Sequence, residues 1–153
     1  MNPDTLALDA QLLVRVLFAG VLSGLLGWER QTAGKPAGFR TLLMVGMAAC
    51  LFVVAGQAAV LTYPASPSTL RVEPFALIQA TAVGIGFLGA GVVFQSRDGN
   101  HINGVTTAAT IWATAAIGLT VGFGRYLLAA GTTMLLLITL RVLSRFDRSH
   151  RAE

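Results

Sequence analysis

The chain has 153 residues, 54% of them hydrophobic and only 12% charged. That balance excludes an ordinary soluble domain. Lysine and arginine exceed aspartate and glutamate by 11 to 7, and most of the charge lies between apolar runs, the pattern of a multi-span membrane protein. The single cysteine, Cys50, excludes an intrachain disulfide and a cysteine metal cluster; inside an apolar run it reads as a structural thiol.

Asp4 and Asp9 precede the first base, Arg15, and no small-residue cleavage site follows, which argues against a removable leader. The first predicted span runs from Leu12 to Trp28 and ends at Glu29-Arg30. Its Gly20, Ser23, Gly24 and Gly27 fall three or four apart, so they share a face suited to close helix packing. The second span runs from Thr41 to Leu61. The third, Phe75 to Phe94, carries no charge and centres on Gly84-Ile85-Gly86-Phe87-Leu88-Gly89-Ala90-Gly91. In water each glycine costs a helix up to about 1 kcal/mol relative to alanine. In lipid, small residues let helices approach closely. Gly84, Gly86, Gly89 and Gly91 therefore predict a central, tightly packed helix. The same residues spell the dinucleotide pattern GxGxxG, but no strand precedes them and no acid follows Asp98 before Asp147, so the nucleotide reading is set aside. The fourth span, Val105 to Gly122, is dense in alanine and threonine. A turn at Gly122-Phe123-Gly124-Arg125 leads to the fifth, Tyr126 to Leu140, which a snorkelling Arg141 extends to Leu143.

The expected architecture is an all-α membrane protein: a single domain, 1–153, with five transmembrane helices near 12–28, 41–61, 75–94, 105–122 and 126–143. Five spans put the termini on opposite sides. With the N-terminus outside and the C-terminus cytoplasmic, eight of the 11 basic residues face the cytoplasm, as the positive-inside rule requires. Glu29, Arg30, Lys35, Arg40, Thr41, Asn103, Thr106 and Thr107 then gather at the cytoplasmic face, beside the N-termini of the second and fourth helices. Two readings stay open for this cluster. It is either an ordinary interfacial rim that caps helices and meets anionic lipid, or a site for an anion or an acidic protein segment. Arg15, Gln57 and Gln79 sit four to six residues inside their spans at the other face and form a candidate outer polar layer, which the alternative reading treats as snorkelling and ordinary interhelical hydrogen bonds.

Between Gly24 and Trp112 the chain resembles the MgtC/SapB family of bacterial inner-membrane proteins. Four blocks carry the resemblance in order: Gly24-Leu25-Leu26-Gly27-Trp28-Glu29-Arg30, Ala37-Gly38-Phe39-Arg40-Thr41, Gly84 to Gly91, and Gly104-Val105-Thr106-Thr107-Ala108-Ala109-Thr110-Ile111-Trp112. The resemblance implies a multi-pass bacterial inner-membrane protein tied to growth in low magnesium, acid tolerance or regulation of other membrane machines. Many members carry a cytosolic C-terminal domain with an ACT-like fold, which this sequence does not include. Asn103 stands where an arginine or lysine is common, which thins the basic patch.

Three function classes follow. The first is a non-catalytic protein that modulates another membrane protein or pairs with a second copy of itself, with the lipid bilayer as its other partner, no nucleic acid and no cofactor. The second is a transporter or channel component for a divalent cation. Magnesium sites use one or two carboxylates, and Glu29 is the one acid near the hydrocarbon, so a metal site forms only if Glu29 meets its copy in an oligomer. An ion pair of Glu29 with Arg30 or Arg40 is the favoured alternative, since an unpaired charge near the bilayer centre costs about 2.5 kcal/mol or more. The third class, an intramembrane enzyme, lacks a nucleophile–base pair at membrane depth, with His101 in a loop and His150 in the tail. No catalytic residue is assigned.

Overall fold

The structure is a computed structural model that describes residues 3–62, 73–95 and 102–149. Five helices account for nearly all of it: α1 (Pro3–Thr32), α2 (Phe39–Thr62), α3 (Pro74–Val92), α4 (Val105–Gly122) and α5 (Tyr126–Ser149). Two short antiparallel strands, β1 (Phe94–Gln95) and β2 (Ile102–Asn103), link α3 to α4, with Phe94 opposite Asn103 and Gln95 opposite Ile102. The helices α1 to α4 are long and apolar enough to cross a membrane. The apolar part of α5, Tyr126–Val142, is shorter. α1 starts nine residues before the predicted span, because the Asp4–Gln11 segment, mixed polar and apolar, continues the helix ahead of the charge-poor run.

Two of the turns are fastened by backbone hydrogen bonds that use up the free carbonyls at a helix end. At the end of α4, the Arg125 N–H donates to the Thr120 carbonyl at 3.0 Å and the Gly124 N–H donates to that of Val121 at 2.8 Å. At the end of α1, the Lys35 N–H donates to the Arg30 carbonyl and the Gly34 N–H to that of Gln31. Both patterns need a left-handed residue, supplied by Gly124 (φ 75°) and Gly34 (φ 68°). Gln31 also reaches across the turn, where its side-chain oxygen accepts the Phe39 N–H at 3.3 Å and caps the start of α2.

α4 is the most enclosed helix and touches the other four, and α2 lies against α1 on one side and α4 on the other. The close approaches are made by small residues. A Cβ on Gly27 would meet the Phe39 backbone at 2.7 Å, and one on Gly24 would meet the Phe39 ring at 3.0 Å. Ser23 on α1 sits directly over Gly46 of α2, Gly46 in turn faces Gly118 of α4, and Gly122 lies 2.6 Å from Val53 by the same measure. Small polar residues share the core with apolar ones. Ser23, Thr107, Thr110, Thr114 and Thr133 are buried, while Leu13, Leu17, Val21 and Leu25 run four apart along the outward face of α1. The threonine hydroxyls are satisfied within their own helices: Thr110, Thr114 and Thr133 each donate to the carbonyl four residues earlier, at 2.7–2.8 Å.

α3 is not the central helix that its glycines predict. It lies at the edge of the bundle, chiefly against α4, and only 11% of its apolar window is buried, compared with 56% for α4. Gly89 is buried against Ala108, with a would-be Cβ contact of 3.6 Å, but Gly84, Gly86 and Gly91 have open space where a side chain would stand. The expectation that Gly84, Gly86 and Gly91 pack helices together within this chain is thus corrected. The packing glycines of the middle bundle are Gly46, Gly118 and Gly122.

Candidate functional site

The charged residues of α1 near the hydrocarbon occupy two levels, Arg15 in its first half and Glu29 and Arg30 close to its C-terminal end. At the end shared by the α1–α2 turn and the β1–β2 link, Glu29 and Arg30 are both buried, 6% and 2% exposed. Arg30 Nε donates to Glu29 Oε2 at 2.7 Å and its Nη2 donates to Oε1 at 3.1 Å, so both carboxylate oxygens are engaged. This is a two-pronged, charge-assisted contact between neighbours in sequence. It leaves a pair with no net charge where the helix enters the apolar layer, which is how a membrane helix tolerates two ionic groups at depth.

The remaining members of the predicted rim divide by exposure. Lys35, Arg40, Thr41, Asn103 and Thr106 are exposed, whereas Thr107 is 2% exposed inside the bundle. None of the exposed five makes a described side-chain contact with the Glu29–Arg30 pair. Trp28 and Phe39 meet edge to face at this end, with centroids 6.3 Å apart, and bind the α1–α2 turn from the outside. Among the described residues, no three of His, Cys, Asp and Glu come together in a group that could hold a metal ion.

At the other level, Arg15 Nη1 donates to Gln57 Oε1 at 3.4 Å, and Gln57 Nε2 donates to the Gly122 carbonyl at 3.5 Å. α1, α2 and the end of α4 are thereby joined by one polar chain. Gln79 stays apart from it, exposed on α3. From Arg15 to Arg30 is about 22 Å along the helix axis, shorter than the roughly 30 Å of an average hydrocarbon core.

Sequence spacing identifies the α1 strip because Gly20, Gly24 and Gly27 repeat at helical intervals. It gives weaker notice of Gly46, a lone glycine in an apolar run. The available signal is its small and apolar neighbours Ala49, Cys50 and Val53 at helical spacing, and Gly118–Gly122, four apart, on α4. An apolar groove of about 630 Å³ remains between α2 and α3, lined by Met44, Phe52, Leu77, Thr81, Gly84 and Leu88 among others.

These features define a class: a small all-α integral membrane protein whose helices pack through glycine, serine and threonine and which keeps one buried ion pair at one face. Residues 16–149 match the MgtC family, and the chain belongs to that family. It is 34% identical over 141 residues to an uncharacterized protein of Haemophilus influenzae, covering 92% of this chain and 57% of that protein. It is 36% identical over 138 residues to YhiD of Escherichia coli strain K12, whose name proposes a magnesium transporter, covering 88% and 61% of the two chains. With protein MgtC of Salmonella typhimurium strain LT2 the identity is 35% over 125 residues, covering 82% and 49%. The chain thus spans about three fifths of the length of the first two relatives. No solved structure matches it.

Proposed function

We propose that this chain is a non-catalytic inner-membrane protein that modulates another membrane protein in magnesium homeostasis or stress adaptation. The observation that carries this reading is the state of Glu29. It is the acid that a cation site near the hydrocarbon would need, and Arg30 engages both of its oxygens inside the bundle. A divalent ion there would have to displace a buried guanidinium, leaving that charge unpaired at a cost of several kcal/mol. Two surfaces are available to a partner: the exposed rim of Lys35, Arg40 and Thr41, and the sides of α3 left open around Gly84, Gly86 and Gly91, where another helix could approach closely. The excess of bases near the α1–α2 turn favours a cytoplasmic position for that rim.

The competing reading is magnesium transport, which the name given to YhiD favours. Liposomes carrying the purified protein and an internal magnesium indicator separate the two. The modulator reading expects no more Mg²⁺ entry than into empty liposomes; entry well above that background would refute it. In cells, Arg40→Ala is expected to abolish the growth benefit in low magnesium while membrane insertion persists. An Arg40→Ala strain that grows like wild type would remove the rim from the contact surface.

A further inference from the structure

The polar chain around Arg15 borders an open groove that the modulator reading does not use. It offers about 520 Å³ between α1 and the start of α5 and is lined by Gln11, Val14, Arg15, Phe18 and Tyr126. Its level follows from the connections of Arg15. Gln57 ties Arg15 to the Gly122 carbonyl, and Gly122 ends α4 where the chain turns towards α5. The guanidinium therefore lies level with the α4–α5 turn, near where the chain must leave the apolar layer.

Arg15 contrasts with Arg30. Arg30 is held against a carboxylate, whereas Arg15, half-buried, has the neutral Gln57 at 3.4 Å as its hydrogen-bond partner among the described residues. A guanidinium has five N–H donors in a fixed fork, so most of this fork is unused on protein, and its charge meets no described carboxylate. Planar forks of this kind match the paired oxygens of a phosphate. The rest of the groove is graded in polarity along α1. Gln11 lies one turn outward of Arg15 and Phe18 about one turn inward, with Val14 beside it. Tyr126, an amphipathic side chain of the sort that collects at membrane boundaries, closes the α5 side with its ring edge-on to Phe18 at 5.8 Å.

We propose that this groove binds the phosphate group of a phospholipid, with Arg15 on the phosphate oxygens and the first methylenes of an acyl chain against Val14 and Phe18. The lipid complements the charge of Arg15 and fills an apolar wall that a free anion would leave wet. The site does not depend on the modulator reading; its failure would leave that reading intact.

Native mass spectrometry of the full chain, delipidated in detergent and titrated with phosphatidylglycerol, tests the proposal. Wild type is expected to hold one tightly bound phosphatidylglycerol. Arg15→Gln should weaken that binding about tenfold, and Arg15→Lys should recover only part of it, because a lysine offers a point charge rather than a fork. Diacylglycerol, with the same chains and no phosphate, should bind no better to wild type than to Arg15→Gln. Equal phosphatidylglycerol binding by wild type and Arg15→Gln would overturn the proposal, as would equal binding of diacylglycerol and phosphatidylglycerol by wild type. Displacement of the lipid by inorganic phosphate at similar concentration would also overturn it, in favour of a free-anion site. Should Arg15→Gln fail to fold, Gln11→Leu and Tyr126→Phe decide the matter. Each is expected to weaken phosphatidylglycerol binding about threefold through a lost polar contact, and unchanged titrations in both would refute it.

Discussion

Substituting alanine for single glycines tests the packing scheme most directly, because it separates two sets that look alike in sequence. At Gly118 a methyl group would fall well inside contact distance of the Gly46 carbonyl and 2.9 Å from the Ala49 side chain. The obstruction is backbone, so no rotamer change relieves it, and α2 and α4 must part by roughly 1 Å to restore ordinary contact. A gap of that size forfeits a quarter to a half of each dispersion contact along the seam, here among Ala49, Val53, Ala115 and Leu119, all buried. Overpacking of this kind costs about 1–3 kcal/mol, and for a protein of this size each kcal/mol lowers the midpoint by about 2–4 °C. Gly118→Ala is therefore expected to melt several degrees below wild type. Gly86→Ala meets nothing within 4 Å; it should hold the wild-type midpoint or rise slightly, since alanine is the better helix former by up to about 1 kcal/mol. A thiol-reactive fluorogenic dye in detergent reads both, because Cys50 is buried in the fold and reacts once the bundle opens. Equal losses in the two variants would refute the placement of α3 at the edge and the close α2–α4 seam.

Other expectations follow from single contacts. Glu29→Gln should destabilise by about 3–5 kcal/mol by leaving Arg30 buried without its counter-charge, whereas the pair Glu29→Met with Arg30→Leu should recover most of that loss in the same melting assay; a double variant no better than the single one would show that the pair has a further partner. Ser23→Ala should be neutral or slightly stabilising, because the Ser23 hydroxyl is buried without a hydrogen-bond partner; a loss above about 1 kcal/mol would show that this hydroxyl makes a stabilising hydrogen bond. Gly124→Ala should cost about 1 kcal/mol or more by forcing a side chain into the left-handed turn (φ 75°), with proteolysis in the α4–α5 turn as a second readout.

Much of the fold was legible in the residues. The long charge-free runs dictate helices because lipid offers the backbone no other hydrogen-bond partners, and Val105–Gly122 appears with the predicted ends. The candidate site was legible in part. The Glu29–Arg30 pair and a polar layer holding Arg15 and Gln57 were both among the alternatives the residues offered, since an ionic group near lipid must find a partner or reach water. Which partner Glu29 takes, Arg30 rather than Arg40, depends on the α1–α2 turn, whose bonds leave Arg40 on the exposed side.

The sequence by itself determined the number of helices, their approximate ends and the ionic residues that must be neutralised, because those follow from the length of apolar runs and the cost of charge in hydrocarbon. Only the tertiary structure decided which small residues touch. In a membrane bundle the lipid-facing and buried sides are equally apolar, so hydrophobic periodicity does not point inward as it does in water. Spacing can place Gly84, Gly86 and Gly91 on a helix, but what lies across from a helix face is set by the order in which the helices assemble. That order gave the close contacts to Gly46, Gly118 and Gly122 and left the glycine-rich helix at the edge.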